Sequence, residues 1–532
     1  MHKKIHKFSL GFGPIIFLII GILAASKRPF HGDEVGSFHL YLMTLSDIFS
    51  TVFRTDIHPP LSYMISKYIT NVASPLESSI LPLLFLSLSL YFFIKVTYEY
   101  LGTSCKPSIY SFIISLHPSL IIYGFTTRYY SFHISISLIA LTLLIKFISG
   151  KSNKDLYLIF IVLIVGAYTS YISLLLSFVI GIVLLYDRTD LWKKILILGC
   201  IYSVLISPVI LNLVNIIISN NIGLRFEGIN MTTLSYFVGA YELIIGNTIP
   251  PSDIFGMTIA FLIFCLALIS LYKLDYRTIN KTFFYLVFIF LLLFTLSIYT
   301  HTITKIRSYI FLSPVLFFLL LFLLSLNNGK YSKRIRQLTI TLLLLLNTIG
   351  VNNLLHTNSI SGWYNYPYKL KQAINSEVSS CSKDENFIFL DYSSNNAYLN
   401  SIKYIQSQID NECTSLLYSS IDSACRIVVR AVTWKKPTTK IPCAIFTLSE
   451  LDQNLLKSGN VEVKVIVPIG KVNKKLVFNN FSVSKIKPIV PYNYDNKIRS
   501  KIIQLFYENG LPYDGARGNY RFNLLYLKKK AI

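Results

Sequence analysis

The sequence predicts a polytopic α-helical membrane protein of about eleven transmembrane helices, followed by a soluble C-terminal α/β domain. Three observations carry this. The 532-residue chain is 53% hydrophobic and only 14% charged, with a mean hydropathy of +0.53, which excludes an ordinary soluble enzyme. Its apolar residues gather in blocks near 8–26, 79–98, 107–124, 128–148, 155–169, 171–187, 194–218, 254–272, 282–300, 308–326 and 338–352. Most approach the roughly 17–25 residues that a bilayer crossing requires. After about residue 353 the composition becomes that of a soluble domain, so the expected division is 1–352 and 353–532.

The first block follows Met1-His2-Lys3-Lys4-Ile5-His6-Lys7 and ends in small residues, the outline of a signal peptide. Its apolar core exceeds the usual ~7–15 residues, and many spans follow it, so a retained first helix is expected. Residues 27–78 then form the first outer loop. Within it, 61–73 carries Lys67 and follows two prolines; it is expected to lie along the interface and not to cross. With a cytoplasmic N-terminus, every inner loop gathers basic residues, from Lys3, Lys4 and Lys7 through Lys146, Lys151 and Lys154 to Lys330, Lys333, Arg334 and Arg336, as the positive-inside rule requires. Counting 61–73 as a span would invert every later loop. The formal charge of +24 thus reflects topology and anionic lipid headgroups; scattered Lys and Arg form no face for nucleic acid. Lys27, Arg28, Arg54, Lys67, Arg128, Arg225, Lys305 and Arg307 fall on the outer side, against the charge rule, and need another explanation.

In the C-terminal region Phe387-Ile388-Phe389-Leu390 reads as a buried strand, and Val461-Glu462-Val463-Lys464-Val465 as a half-exposed one. Helices are expected over 449–459, opened by Ser449 and closed at Gly459, and over 498–509, where Ile498, Ile502, Leu505 and Phe506 share a face. An odd number of spans puts this domain outside, where Cys381, Cys413, Cys425 and Cys443 have access to disulfide pairing of undefined connectivity.

Charged residues in so apolar a chain must face water, a partner or a polar ligand. Asp33, Glu34, Asp56, His58, Arg128, Tyr129, Lys305, Arg307 and Tyr309 all fall at helix ends or loops on the expected outer face. A carboxylate there can act as general base for an acceptor hydroxyl, while guanidinium and ammonium groups neutralise a departing phosphate. Each also has a plainer reading. Asp33 and Glu34 suit a helix start, Pro59-Pro60 a rigid lead-in to a helix, His58 a polar loop, and Arg128, Lys305 and Arg307 snorkelling anchors. Neighbouring acids offer oxygen ligands for a divalent cation, but no spacing fixes a ligand set, and no nucleotide-binding glycine loop is present.

Asp33-Glu34 in the first outer loop, His58-Pro59-Pro60-Leu61-Ser62-Tyr63, Arg128-Tyr129 opening the fourth span, and Arg307 with Tyr309 and Pro314 opening a later one resemble the pattern of GT-C class membrane glycosyltransferases, in the branch similar to protein O-mannosyltransferases and the lipid A aminoarabinose transferase. The resemblance spans residues 8 to about 350. It implies an enzyme that takes a sugar from a polyprenyl-phosphate donor, with Asp33 or Glu34 catalytic; Arg128, Lys305 and Arg307 on the donor phosphate; and His58, Tyr129 and Tyr309 near substrate. In that branch an acid often stands near the equivalent of Arg128, where this chain has Thr126 and Thr127.

The expected reaction is inverting transfer to a hydroxyl of a glycan, lipid or protein acceptor, in the bacterial inner membrane, with the site and the C-terminal domain on the extracytoplasmic side. The alternative is a transporter or flippase of lipid-linked sugars. Transporters place polar residues near the midplane and repeat their halves, and neither pattern stands out in the sequence.

Overall fold

The computed structural model describes residues 2–27, 34, 40–41, 43–55, 58–69, 75–101, 105–150, 152–218, 233–246, 248–249, 254–272, 281–299, 309–326 and 330–355, and six strands after residue 385. The chain divides into two compact units. One comprises 1–26, 43–359 and 498–513, the other 27–42, 360–497 and 514–532.

The first unit is helical throughout its described residues. In chain order its helices are α1 (His2–Lys27), α2 (Leu45–Thr55), α3 (Leu61–Ile69), α4 (Pro75–Leu101), α5 (Pro107–Ser115), α6 (Pro118–Phe125), α7 (Tyr129–Gly150), α8 (Asn153–Ala167), α9 (Ile172–Asp187), α10 (Trp192–Leu205), α11 (Ser207–Ile218), α12 (Thr233–Ile245), α13 (Ile254–Tyr272), α14 (Lys281–Tyr299), α15 (Leu312–Leu326) and α16 (Lys330–Leu355). Among the described residues, four helices are long and apolar enough to cross a membrane. The number is six if the bent pairs, α5 with α6 and α9 with the segment Thr189–Leu205, each count as one. Shorter apolar helices lie at Ile254–Ser270, Lys281–Thr295 and Leu312–Ser325. This is an integral, multi-pass membrane architecture.

Three features depart from the apolar-block reading. The block expected at 107–124 is broken at Leu116-His117 and bent by 59°, because Pro118 has no N–H to continue the ladder. The block at 194–218 is interrupted between Leu205 and Ser207. Helices α2 and α12 arise where no block was expected; both are too short to register as spans, at 11 and 13 residues.

Packing follows from what a hydrocarbon surround demands of the backbone. Pro14 sits inside α1 and leaves the Leu10 carbonyl without its helical donor. The Ser111 hydroxyl supplies one, at 2.6 Å, and accepts from the Gly13 N–H at 3.0 Å. Gly13 is required by that approach, since a Cβ there would lie 2.2 Å from the Ser111 carbonyl oxygen. At the α5–α6 break the Ile113 carbonyl, which a continuous helix would have paired with residue 117, accepts instead from Asn347 Nδ2 on α16 at 3.1 Å. Hydroxyls inside spans return to carbonyls four residues back, as Thr97 does to Phe93, Ser135 to Ser131 and Thr142 to Leu138. Large apolar side chains such as Phe178, Val204, Leu211 and Phe261 remain exposed on helix surfaces, as lipid-facing residues must.

Ion pairs pin connections expected on the inner side: Lys146 to Asp155 at 3.4 Å, Arg188 to Asp190 at 2.7 Å, and Lys281 to the buried Asp187 at 2.6 Å. Two basic residues expected on the outer side also find protein partners. Lys67 donates to the Met43 carbonyl at 2.6 Å, and Arg128 Nη2 to the Tyr63 hydroxyl at 3.2 Å.

The second unit contains a six-stranded mixed sheet of β1 (Asn386–Asp391), β2 (Ser415–Ser419), β3 (Ala444–Ile445), β4 (Glu462–Pro468), β5 (Phe481–Ile489) and β6 (Phe522–Lys529), in the order β3-β2-β1-β4-β6-β5. The first four strands are parallel, with Ile388 paired to Leu416 and to Val465. Strand β6 runs antiparallel to β4 and β5. The expected strands fall in β1 and β4. Parallel neighbours need crossovers of a dozen or more residues, and 392–414, 420–443 and 446–461 are long enough. The expected helices at 449–459 and 498–509, and Cys381, Cys413, Cys425 and Cys443, lie outside the described residues.

Gly13→Ala is expected to lower the thermal midpoint in detergent by several degrees, since overpacking typically costs about 1–3 kcal/mol. Gly199→Ala, where a Cβ meets nothing within 4 Å, is expected to leave the midpoint unchanged or raise it. Differential scanning fluorimetry of both variants checks the contrast; equal midpoints would contradict the packing described. In the connection before α5, burial pushes the Cys105 thiol up to about 11, partly offset by Arg336. Because the thiolate is the reactive form, maleimide labelling of Cys105 is expected to be slow at pH 8 and to accelerate only toward pH 11. Rapid labelling at neutral pH, read by mass spectrometry, would contradict this.

Candidate functional site

The segment His58-Pro59-Pro60-Leu61-Ser62-Tyr63 is held at both ends. The Leu61 N–H donates to the Tyr168 carbonyl at 3.0 Å, docking the start of α3 on the tight turn after α8. That turn closes where Thr169 and Ser170 both donate to the Gly166 carbonyl, at 2.9 Å each. Pro59 and Pro60 are buried, and they fix the chain's direction into α3. Two residues into the helix, the buried Tyr63 hydroxyl accepts from Arg128.

Arg128 sits in the bend between α6 and α7. The α6 end is closed by Thr126 Oγ1, which donates to the Ile122 carbonyl at 2.8 Å, and by the Ser79 hydroxyl, which donates to the Phe125 carbonyl. Thr127 and Tyr129, on either side, are buried, whereas Arg128 is half-buried. The next helix, α7, is buried along most of its length, so its first turn is a rigid base for the site.

Aromatic rings continue the cluster. The His58 ring lies on Tyr129 with centroids 4.1 Å apart, and Tyr129 lies against Tyr130 at 4.3 Å. One turn further along α7, His133 is 6.5 Å from Tyr129 and meets Phe311 edge-on at 5.5 Å. Phe311 in turn stacks with Tyr309 at 6.3 Å. His133 Nδ1 is 3.1 Å from the Ser173 hydroxyl on α9. A continuous path of rings therefore joins the 58–63 segment, the start of α7 and the start of α15.

The structure thus brings together His58, Arg128 and Tyr129, and connects Tyr309 to them through Phe311 and His133. Tyr309 is fully buried. Glu34 belongs to the other unit, where it is helical and completely buried. Asp33, Asp56, Lys305 and Arg307 lie outside the described residues. Among the described residues, no group of three or more His, Cys, Asp or Glu side chains could hold a metal ion.

Two members of the cluster are inconspicuous in the sequence. Tyr63 appeared only as part of a motif, and its bond to Arg128 joins positions 65 apart in sequence. His133 looked like one more residue of an apolar run. The available signal was its spacing: four residues after Tyr129, it shares that residue's helix face.

A guanidinium beside a phenol and stacked rings suits a ligand that combines an anion with a flat or ring-shaped group. The guanidinium supplies directional, charge-assisted donors. The rings offer faces for a sugar or a prenyl chain.

No family model and no curated protein matches the sequence. Solved structures do. ArnT from Cupriavidus metallidurans bound to undecaprenyl phosphate aligns with a TM-score of 0.50 at 10% identity, covering 96% of this chain and 96% of that one. The same protein in the apo state aligns at 0.48 and 10%, covering 85% and 92%. The alignment to the lipid-bound form is too extensive to stop at residue 352, so it reaches the second unit as well. The chain therefore has the fold of ArnT, the lipid A aminoarabinose transferase, a GT-C glycosyltransferase.

Proposed function

We propose that this protein is a glycosyltransferase that moves a sugar from a polyprenyl-phosphate donor to a hydroxyl acceptor with inversion at the anomeric carbon. The observation that carries the reading is the convergence of Arg128, Tyr63, His58 and Tyr129, in a fold shared with a transferase solved with undecaprenyl phosphate bound. A positive, ring-lined site at a helix end is what a lipid-borne sugar phosphate requires.

In this reading Asp33, with Glu34 as the second candidate, takes the proton of the acceptor hydroxyl. The acceptor oxygen attacks the anomeric carbon, the bond from that carbon to the phosphate oxygen breaks, and its electron pair leaves with the polyprenyl phosphate. Arg128, Lys305 and Arg307 balance the charge that builds on the leaving group. His58 and Tyr129 face the sugar. The oxocarbenium-like transition state also gains from a nearby carboxylate. The expected setting is the bacterial inner membrane with about eleven crossings, the chemistry and the second unit on the extracytoplasmic side, and anionic lipids around the inner loops. The sugar, hexose or pentose, and the acceptor follow from an assay with a panel of polyprenyl-phosphate sugars. Running it with and without chelator decides whether a divalent cation takes part. A new covalent glycan product in proteoliposomes separates transfer from bare lipid-linked sugar transport.

Asp33→Asn is expected to reduce transfer by about 10²–10⁴-fold, the usual contribution of a general base, with expression and thermal midpoint unchanged. Near-normal turnover would remove Asp33 from the mechanism. Arg128→Ala is expected to raise the donor KM by roughly ten- to a hundredfold, the equivalent of one charged hydrogen bond. Tyr63→Phe should show a smaller rise in the same direction, through loss of the bond that orients Arg128. Steady-state kinetics over a donor titration check both; an unchanged KM in Arg128→Ala would refute the phosphate assignment.

A further inference from the structure

The break between α5 and α6 contains a second polar cluster that the transfer reaction does not use. His117 lies at the break, fully buried, with its ring edge-on to Phe317 of α15 at 5.4 Å. The ring lies beside the Leu243 backbone near the end of α12, but neither nitrogen forms a well-aligned hydrogen bond among the described residues. The hydroxyls of Ser115, two residues earlier, and of Thr248 are also buried without a hydrogen-bond partner among those residues.

Two glycines bring other backbone segments directly against the break. Gly246 has φ +80°, and a Cβ on it would lie 3.4 Å from His117 Cε1 and 3.0 Å from Ser119 Oγ. A Cβ on Gly350 of α16 would lie 2.3 Å from Pro118 Cγ and 2.8 Å from Thr248 Oγ1. The imidazole and the Thr248 hydroxyl are therefore gathered around one short stretch of broken helix.

The break also falls deep within the span. Helix α6 has eight residues, so at 1.5 Å per residue its inner end is about 12 Å from the Arg128 bend. A buried polar group without a partner is costly anywhere and most of all in hydrocarbon. Native proteins meet that cost with ordered water where several polar groups converge. The set here mixes donors and acceptors: neutral imidazole offers one of each, and every hydroxyl offers both.

We propose that the α5–α6 break is an internal hydration site, with ordered water bridging His117 to the Thr248 hydroxyl inside the membrane domain.

Radiolytic hydroxyl-radical footprinting of the full-length protein in detergent, read by mass spectrometry, tests this, because bound water generates radicals beside otherwise inaccessible side chains. Phe317 and Pro118 are expected to be oxidised several-fold faster than Phe17, which is equally buried and packs against Gly124. His117→Leu is expected to bring Phe317 down to the Phe17 rate, and Thr248→Val, the milder variant if the first fails to fold, to lower it part of the way. Phe317 oxidised no faster than Phe17 in the wild type, or as fast in His117→Leu as in the wild type, would overturn the proposal.

Discussion

A backbone carbonyl without a donor inside hydrocarbon costs several kcal/mol, and the arrangement of the membrane unit depends on where prolines and breaks create such carbonyls. Pro14 frees Leu10, which Ser111 satisfies; the break before Pro118 frees Ile113, which Asn347 satisfies. These bonds tie α1 and α16, near the two ends of the unit, to the same broken span. That span then delivers Arg128 to its position. Because α6 is short and both its ends are fixed, the Arg128 bend is set by the same packing that repairs the backbone.

The basic residues expected on the outer side, which the charge rule disfavours there, acquire protein partners where they are described. Lys67 ties α3 back to Met43, and Arg128 meets Tyr63. The Arg128 bond draws the 58–63 segment onto the start of α7, and the Lys67 bond ties α3 to the chain just before α2. The sequence places His58 and Arg128 in segments separated by two expected spans, and tertiary packing alone makes them neighbours through Tyr129.

Most spans were legible in the sequence because an apolar block of bilayer length leaves few alternatives. Two parallel strands of the second unit, β1 and β4, were legible for a related reason, since runs such as Phe387–Leu390 have little else to form; β2 and β3, at five and two residues, were not. Short helices were not. Thr233–Ile245 carries Gly239 and Glu242 within a moderately apolar stretch, and Leu45–Thr55 buries only a narrow stripe that includes Ile48 and Val52. In the site, Arg128, Tyr129 and His58 could be singled out because a polar or charged residue at the end of a span is conspicuous. His133 and Tyr63 could not, since their significance comes from contacts across long sequence separations that no local pattern encodes. The α5–α6 break lies inside a block that reads as one span, and the polar groups around it come from the chain just after α12 and from α16.

We propose that the surface built by residues 58–63 and the first turns of α7 receives the phosphate end of a polyprenyl carrier. Photocrosslinking with a polyprenyl phosphate that carries a diazirine next to the phosphate, followed by peptide mapping, tests it most directly. Crosslinks concentrated on 58–63 and 128–133, and lost on competition with unlabelled polyprenyl phosphate, are the expected result. Competable crosslinks confined to other helices, with none on either segment, would contradict it.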